Sequence, residues 1–578
     1  MQKIIYFFSL IYLLSGCVEK RDLSKNTVIV HLENFPDGFH FINESSGPAN
    51  FIYKYTQREI AIIDSKTEEY VPVLTKKLPK ADSTGLNYFM EIDESVKWDD
   101  GSKLSVDDLI FSWKLNMCPL TNNPHSRNLY RSVVDSAYRD KENPNGFWVK
   151  VKAIHYNNLN VISGLKLAQK LDWDPEGVLD NLYFKNINAD EFKSNKDLDN
   201  WFNAFNSSEN GYRPENTKGL GPYQITSIEN KAYVILTRKE NWWGDKMEGE
   251  KYSNLPDKII FKVISDPGAG YLSLKRQELD VLKSRGGVWV SKFERLRRND
   301  NFNKNYKSDY VQSNLYRYLG MNMRPDGINY KPFFTDLRVR KAMAHLAPVE
   351  DMLDFLLYGK GERVASILPP FHKEADTTLA FVPLDLDKAK KLLDKAGWID
   401  TDGDNIRDKI IGGEKIQFKF KLNYYPDPSL KEIALVLKES MNRAGVELIP
   451  NPLDFGTLFG NAYDHKFDAM LAAWSSDVVY SDPAQIWSTV SWAEKGSNFV
   501  GYGDAESDSL IQASNVCLNE KEHLRAYKAL QRKICKDQPY IFFWSEKFVM
   551  ACHKRLDSAE FYRANPCINI GGLKLNYK

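Results

Sequence analysis

The sequence is poor in the patterns that mark common enzymatic chemistries. It has nine histidines, scattered along the chain, and six cysteines with no CxxC pair. A metal centre built from closely spaced thiols is therefore disfavoured. There is no HExxH, no GxSxG and no P-loop. Ser163-Gly164-Leu165-Lys166 fits S-x-x-K, but its companion motifs are missing, and so short a pattern arises by chance in a chain of this length. Nothing therefore favours a hydrolase, and ATPase activity is not expected in this chain. Charge of one sign is also lacking. Lys plus Arg total 78 and Asp plus Glu total 77, for a net charge of +1. That balance gives no bulk attraction to nucleic acid, and no polybasic run supplies a local one. No fixed-period repeat or low-complexity tract occurs. No segment reaches the ~18 unbroken apolar residues of a membrane-spanning helix.

What is present is a long, ordinary globular composition. At 578 residues the chain exceeds one hydrophobic core, so two or three domains are expected. A hydrophobic content of 43% excludes disorder as the general state. Aromatics reach 13%, with 13 Trp and 30 Tyr. Part of that excess is core, and part suits a wet, adaptable binding cleft, because Trp and Tyr join an apolar body to a polar tip.

The first residues, MQKIIYFFSLIYLLSGCVEK, read as a secretory signal. An early lysine precedes an apolar run from Ile4 to Leu14, and small residues come before Cys17. Leu14-Ser15-Gly16-Cys17 resembles the bacterial lipobox, which implies cleavage and lipidation at Cys17. A cleaved signal with a chance cysteine is the alternative. Val18 follows Cys17, so inner-membrane retention by an aspartate is not signalled. The body would then be soluble and tethered through its lipid. Cys118, Cys517, Cys535, Cys552 and Cys567 remain. Cys552 with Cys567 is the candidate disulfide in an exported protein, and unpaired buried thiols are the alternative.

Elements can be placed along the body. Val28, Val30 and Leu32 alternate as in a strand. Ser105 with Asp108 reads as a capping box opening a helix. Tyr223–Ile228 and Ala232–Arg238 read as a hairpin, and DKIIFKVIS as a further strand. GAGYLSLKRQELDVL is a short helix leading into a strand. Two helices broken near Pro348, the second closed at Gly359, fit residues 336–359. A helix closed at Gly397, a strand in IQFKFKLNYY, a helix over SLKEIALVLKESMNRAGVEL running into a strand, and a strand in FDAMLAAW complete the pattern. Between Cys118 and Pro214, loops and short helices alternate. Strands interleaved with helices indicate α/β architecture.

Several of these pieces match one family in order. VKWDDGSKLSVDDLIFSW resembles its DG-x-P-x-T-A-x-DV block, and GLGPYQITSIENKAYVILTRKENWWG its GTGPY hairpin. KRQELD is similar to x-x-G-E-x-D. DLRVRKAMAHLAPVEDMLDFLLYGKGERVASILPP resembles its RVR-x-A block, and DLDKAKKLLDKAGWIDTDGDNIRD its AGW-x-D-x-DGDG block. Each block is weak alone; the ordered set resembles the dipeptide/oligopeptide-binding type of extracellular solute-binding proteins of ABC transporters (family 5). It covers nearly all of the chain after the signal. The departures are Leu220 before Gly221-Pro222-Tyr223, Pro348 where the family has Ile or Met, and no match to its LP-x-H motif between Cys118 and Pro214.

The resemblance implies a periplasmic-binding-protein type II clamshell (cluster C), with two lobes and a smaller additional domain. One lobe would combine residues 26–44, 215–318 and 535–578. The smaller domain would be 45–214 and the opposite lobe 319–534, after a signal at 1–17. A peptide would be captured between the lobes and delivered to ABC transporter permease subunits, from a monomer in the cell envelope on the periplasmic or surface side of a bacterial membrane. No cofactor, metal or nucleic acid is implied. Two other readings remain: the same fold with a nickel chelate, haem or oligosaccharide, and a peptide-sensing lipoprotein with a non-transport partner.

In peptide-binding members a Trp-x-x-Asp segment lies in the cleft, and Trp474-Ser475-Ser476-Asp477 has that spacing. Asp477 would pair with the ligand's α-ammonium, because a buried carboxylate is costly without a cation. Trp474, Tyr480 and Trp487 would wall side-chain pockets. Asp482 is a second candidate anchor, since DVVYSDP carries extra residues relative to the family's D-Y-x-D-P. The bland alternative has Asp477 capping a turn and the tryptophans in the core. Phe39, His40 and Asn43 are candidates from the first lobe, with a surface loop as the alternative. Asn498 and Tyr502, in GSNFVGYG, resemble a block near the cleft. Asp400, Asp402, Asp404 and Asp408 superficially resemble a calcium loop. Asn405 and Ile411, however, stand where an EF-hand needs Gly and Glu.

Overall fold

Alternation predicts that Val28, Val30 and Leu32 share one side of a strand, and that side is buried in strand Thr27–Leu32. The computed structural model describes residues 22–187, 195–211, 213, 218–285, 287–325, 330–476, 478–480, 482–517 and 519–576. Cys17 and Asp477 lie outside the described residues.

Thr27–Leu32 lies between Lys258–Val263 and Val281–Ser284, parallel to both. From Lys258–Val263 the sheet continues antiparallel through Tyr233–Arg238 to Tyr223–Glu229. These two strands are the hairpin expected from the sequence. From Val281–Ser284 it continues antiparallel to Tyr540–His553, and then to Tyr306–Met321. Beyond these come Ala469–Ser475, Lys419–Tyr424 and Glu447–Pro452, the last two joined in parallel. The result is one mixed, 11-stranded sheet, with Gly361–Arg363 paired to Tyr540–His553 off the main path. Its outermost strand, Glu447–Pro452, carries Pro450 and Pro452. Proline cannot donate to a ladder, which blunts this edge against further pairing.

The two long strands carry the join between the two halves of the sheet. Their register shifts between Gln312 and Tyr316, and again between Tyr316 and Tyr318. Beyond the shift, alternation divides the strands cleanly. Tyr316, Tyr318, Met470 and Ala472 enter a core on one face. Leu319, Met321, Ala469 and Leu471 enter a different core on the other. Helices Leu337–His345, Val349–Leu357, Leu386–Lys395 and Pro428–Asn442 cover this second face. Helix Glu520–Asp537 packs on the first through Tyr527, Leu530 and Ile534.

A third core, spanning residues 42–252, surrounds helix Val106–Met117 and a four-stranded sheet. That helix opens with the expected capping box: Asp108 N–H donates to Ser105 Oγ, and Ser105 N–H donates to Asp108. The hairpin Val134–Arg139 and Gly146–Val151 is an addition to the sequence reading, which saw only loops and short helices there. Asn143-Pro144-Asn145-Gly146 was its turn signal. Helix Val349–Leu357 is closed one residue earlier than expected, by Tyr358 in a left-handed conformation before Gly359.

All five cysteines of the body are free thiols, so Cys552 and Cys567 form no disulfide; both are buried in one apolar cluster. Asp400, Asp402 and Asp408 do approach one another. Their oxygens are largely taken up within the loop: Lys415 pairs with Asp402 and Asp408, and Asp400 accepts the N–H groups of Gly403 and Asn405. Ser163 and Lys166 do not act as a pair either: Lys166 Nζ donates to Glu44 O and Ser45 Oγ.

One buried acid gives a pH test of this packing. Asp468 precedes strand Ala469–Ser475, and its carboxylate accepts Lys421 N–H at 2.9 Å. Burial pushes its pKa from 3.8 to about 6. The folded state therefore holds a proton that the unfolded chain releases. Stability should fall as pH rises through that window, and the cost should persist above it. Asp468→Asn removes the charge and keeps an acceptor. It is expected to stabilise the protein at pH 7 by about 3 kcal/mol at most, and to have little effect below pH ~4. Urea unfolding at both pH values checks this; an unchanged difference between wild type and variant across the window refutes it.

Candidate ligand-binding site

The segment after strand Ala469–Ser475 is where the chain leaves the sheet. Ser476 N–H donates to Asn314 O at 3.2 Å. Asn314 sits in the register shift of the long strand, 7% exposed, and its Oδ1 has no hydrogen-bond partner among the described residues. The candidate anchor Asp477 comes next and lies outside the described residues. Val478 and Val479 are buried against Ala564, Ile63 and Tyr70.

Asp482, the second candidate anchor, is held by the protein itself. Its Oδ1 accepts Ala484 N–H at 2.8 Å and Asn515 Nδ2–H at 2.7 Å. Its Oδ2 lies 3.4 Å from His155 Nε2. Burial pushes this carboxyl upward, but donors from His155, Ala484 and Asn515 outweigh it, and the pKa stays below the ordinary range.

The aromatic candidates gather in one cluster on one face of the sheet. Trp474 is half-buried; its ring stacks on Phe499 at 5.7 Å and its Nε1–H donates to Tyr540 Oη at 3.3 Å. Trp487 is fully buried, edge-on to Tyr502 at 5.4 Å. Tyr480 is buried and hydrogen-bonds Asn515 Oδ1. Burial and the nearby Asp482 charge push its phenol upward. Tyr502 Oη donates to Asp537 Oδ2 at 3.3 Å. Asn498 has no exposed surface: its Nδ2 donates to Ser488 O and Tyr502 O, and its Oδ1 accepts Tyr502 N–H.

The first-lobe candidates fall elsewhere. Phe39 is fully buried in the core around Thr27–Leu32, edge-on to Phe35. His40 Nε2 lies 2.8 Å from Phe205 O, with the ring packed against Trp173 and Phe205. Burial lowers its pKa. Asn43 Nδ2 donates to Asn206 Oδ1 at 2.9 Å, while its own Oδ1 is buried without a partner among the described residues. His40 lines a cavity with Trp98, Gln169 and Trp173. This group lies where the first strand meets the core of residues 42–252, in a different cluster from Trp474, Tyr480, Trp487 and Tyr502.

Sequence reading missed Asn314, His155, Asn515, His523 and Arg563. No motif marks them, because each gains its role from a partner more than 100 residues away or from a local register shift.

A family model described as bacterial extracellular solute-binding proteins, family 5 Middle, matches residues 69–497. The chain belongs to this family. Oligopeptide-binding protein AppA of Bacillus subtilis is 25% identical over 524 residues, which is 88% of this chain and 84% of AppA. The nickel-binding periplasmic protein of Escherichia coli is 25% identical over 250 residues, 43% of this chain and 44% of that protein. The solved structure of Bacillus subtilis AppA in complex with a nonapeptide superimposes with a TM-score of 0.72 at 22% identity, covering 95% of this chain and 99% of AppA. NikA from Brucella suis in complex with Fe(III)-EDTA gives a TM-score of 0.74 at 18% identity, covering 95% of this chain and 100% of NikA. The mixed α/β, two-lobed arrangement of this family-5 chain is thus that of its structural neighbours, and its relatives are named as binding proteins. Among the described residues no helix is long and apolar enough to cross a membrane.

The Asn498 network gives a direct check on where the aromatic cluster gets its order. Asn498→Ala removes three hydrogen bonds at a fully buried position and should cost about 1–3 kcal/mol for each polar group left unpaired. Denaturant unfolding measures it. A loss of ligand binding with unchanged stability would show instead that Asn498 faces the ligand.

Proposed function

We propose that this family-5 protein is a lipid-anchored substrate-binding protein. It captures peptides in the cleft between its lobes and delivers them to an ABC transporter permease. The similarity to an oligopeptide-binding protein across 88% of the chain carries the reading. Membrane attachment is assigned to Cys17, with the rest of the molecule in the cell envelope. The lobe divisions are those expected from the sequence: 26–44, 215–318 and 535–578 against 319–534, with 45–214 as the smaller domain.

Asp477 is the proposed anchor for the ligand's α-ammonium. In sequence it comes two residues after strand Ala469–Ser475 and directly precedes Val478. Asp482, already bonded to three partners from its own chain, is the poorer candidate. A carboxylate enclosed on closure needs a cation, and an ammonium supplies charge-assisted hydrogen bonds that fix one end of the peptide. Backbone hydrogen bonds from an extended ligand would add affinity without reading side chains.

A second reading, capture of a metal chelate, is favoured by the NikA likeness and by the nickel-binding relative. Calorimetric titration with a mixed peptide library and with a nickel–histidine chelate separates the two. For peptides, Asp477→Ala should weaken binding by about 30-fold or more, corresponding to the ~2–5 kcal/mol lost when a buried charge pair is broken. N-acetylated peptides should bind the wild type as weakly as free peptides bind the variant. Unchanged peptide affinity in Asp477→Ala refutes the anchor, and chelate binding without peptide binding refutes the peptide reading.

A further inference from the structure

Tyr156 stands out in the burial pattern. The core on the aromatic face is otherwise built from residues 316–542, yet Tyr156 packs against it from the far end of the sequence. Its ring lies parallel to that of His523 at 3.9 Å, with 4° between the planes. It meets Tyr480 edge-on at 5.2 Å. Its backbone N–H donates to Asn515 O at 2.7 Å.

The neighbouring His155 continues the contact. Its Nδ1 accepts the N–H of Asn157, so a proton on the neutral ring sits on Nε2, which faces Asp482. Asn515 ties the set together, since it accepts from Tyr480, donates to Asp482 and supplies the carbonyl that Tyr156 reaches.

A second set of contacts holds the same seam. Arg563 donates to Phe371 O at 2.5 Å with its guanidinium 5.2 Å above the Phe371 ring, and it also pairs with Glu68. Val478 and Val479 are buried against Ala564, Ile63 and Tyr70. Val478, Val479, Tyr480 and Asp482 are therefore gripped from two sides, by side chains from near the N-terminal third and by the C-terminal segment. This gripped stretch begins at the residue after Asp477.

We propose that Tyr156, with His155, is a positioning residue for ligand capture: the pair clasps Tyr480, Asp482, Asn515 and His523 when the lobes close and thereby holds the closed form around the ligand. The inference rests on the capture reading above. Closure carries the clasp contacts as well as the ligand contacts, so observed affinity is scaled by the fraction of molecules clasped. The clasp acts on release more than on encounter, because its contacts form only after the lobes meet.

The test uses the mature chain, as wild type, Tyr156→Ala, Tyr156→Phe and His155→Ala. Small-angle scattering gives the compact fraction, without ligand and with saturating alanine-rich nonapeptide bearing a free N-terminus. Stopped-flow displacement of a labelled form of that peptide gives its release rate. Tyr156→Ala should lower the compact fraction and speed release by about tenfold, with association changed by less than about threefold. Tyr156→Phe keeps the stacked ring and should behave as wild type, which a general loss of stability would not allow. His155→Ala should act in the same direction with a smaller effect, and it serves if Tyr156→Ala does not fold. A wild type compact in neither condition, or a Tyr156→Ala protein with the wild-type compact fraction, overturns the clasp. A compact fraction that depends on Tyr156 in a protein that ignores the nonapeptide retains the clasp and removes the peptide reading instead.

Discussion

The antiparallel ladder between Tyr306–Met321 and Tyr540–His553 is the constraint on which the rest of the molecule depends. Backbone hydrogen bonds are obligatory for buried strands, so these two segments cannot separate without exposing a row of donors and acceptors. Through them a single sheet runs from the hairpin at Tyr223–Arg238 to the proline-bearing edge at Glu447–Pro452. The ladder is also where regularity is given up. Its register shifts after Gln312, the Asn314 side-chain Oδ1 has no partner among the described residues, and Arg317 Nε donates to the nearly buried Glu546 carboxylate at 2.6 Å. A buried ion pair adds little net stability, but either member left alone would be costly. That pair therefore ties Tyr306–Met321 to Tyr540–His553 beside the register shift.

The candidate cleft segment inherits its position from this ladder. Ala469–Ser475 pairs with the long strand up to Leu315, and Ser476 makes its last bond to Asn314. The chain is then free of the sheet and is held by side chains instead. Tyr480, Asp482 and Asn515 satisfy one another, and residues from distant parts of the chain close over them. The abundance of aromatics, which composition alone leaves divided between core and cleft, resolves mostly toward the core here. Trp487 is buried in contact with both Tyr502 and Tyr540, and Trp474 is only half-buried at their margin.

Local elements were legible in the residues where a short-range rule governs them. The capping box at Ser105, the strand over Val28–Leu32 and the break at Pro348 depend on neighbours within a few positions. The hairpin closed at Asn143–Gly146 was legible too, by its turn chemistry, and was overlooked because its strands mix charges with apolar residues. The family's ordered blocks brought the clamshell within reach before any coordinates. Phe39 and Asn498 occupy fully buried positions with contacts inside the protein, and no periodicity distinguishes such positions from a ligand-facing one.

The sequence by itself determined the architecture: α/β elements in order and more than one core. Only the tertiary structure decided that Asp482 is engaged by its own chain, and that Tyr156 reaches His523 across 367 residues of chain. The physical reason is one of range. Helices, turns and strands are selected by interactions a few residues long, whereas a contact between parts far apart in the chain exists only once the fold has brought them to the same core.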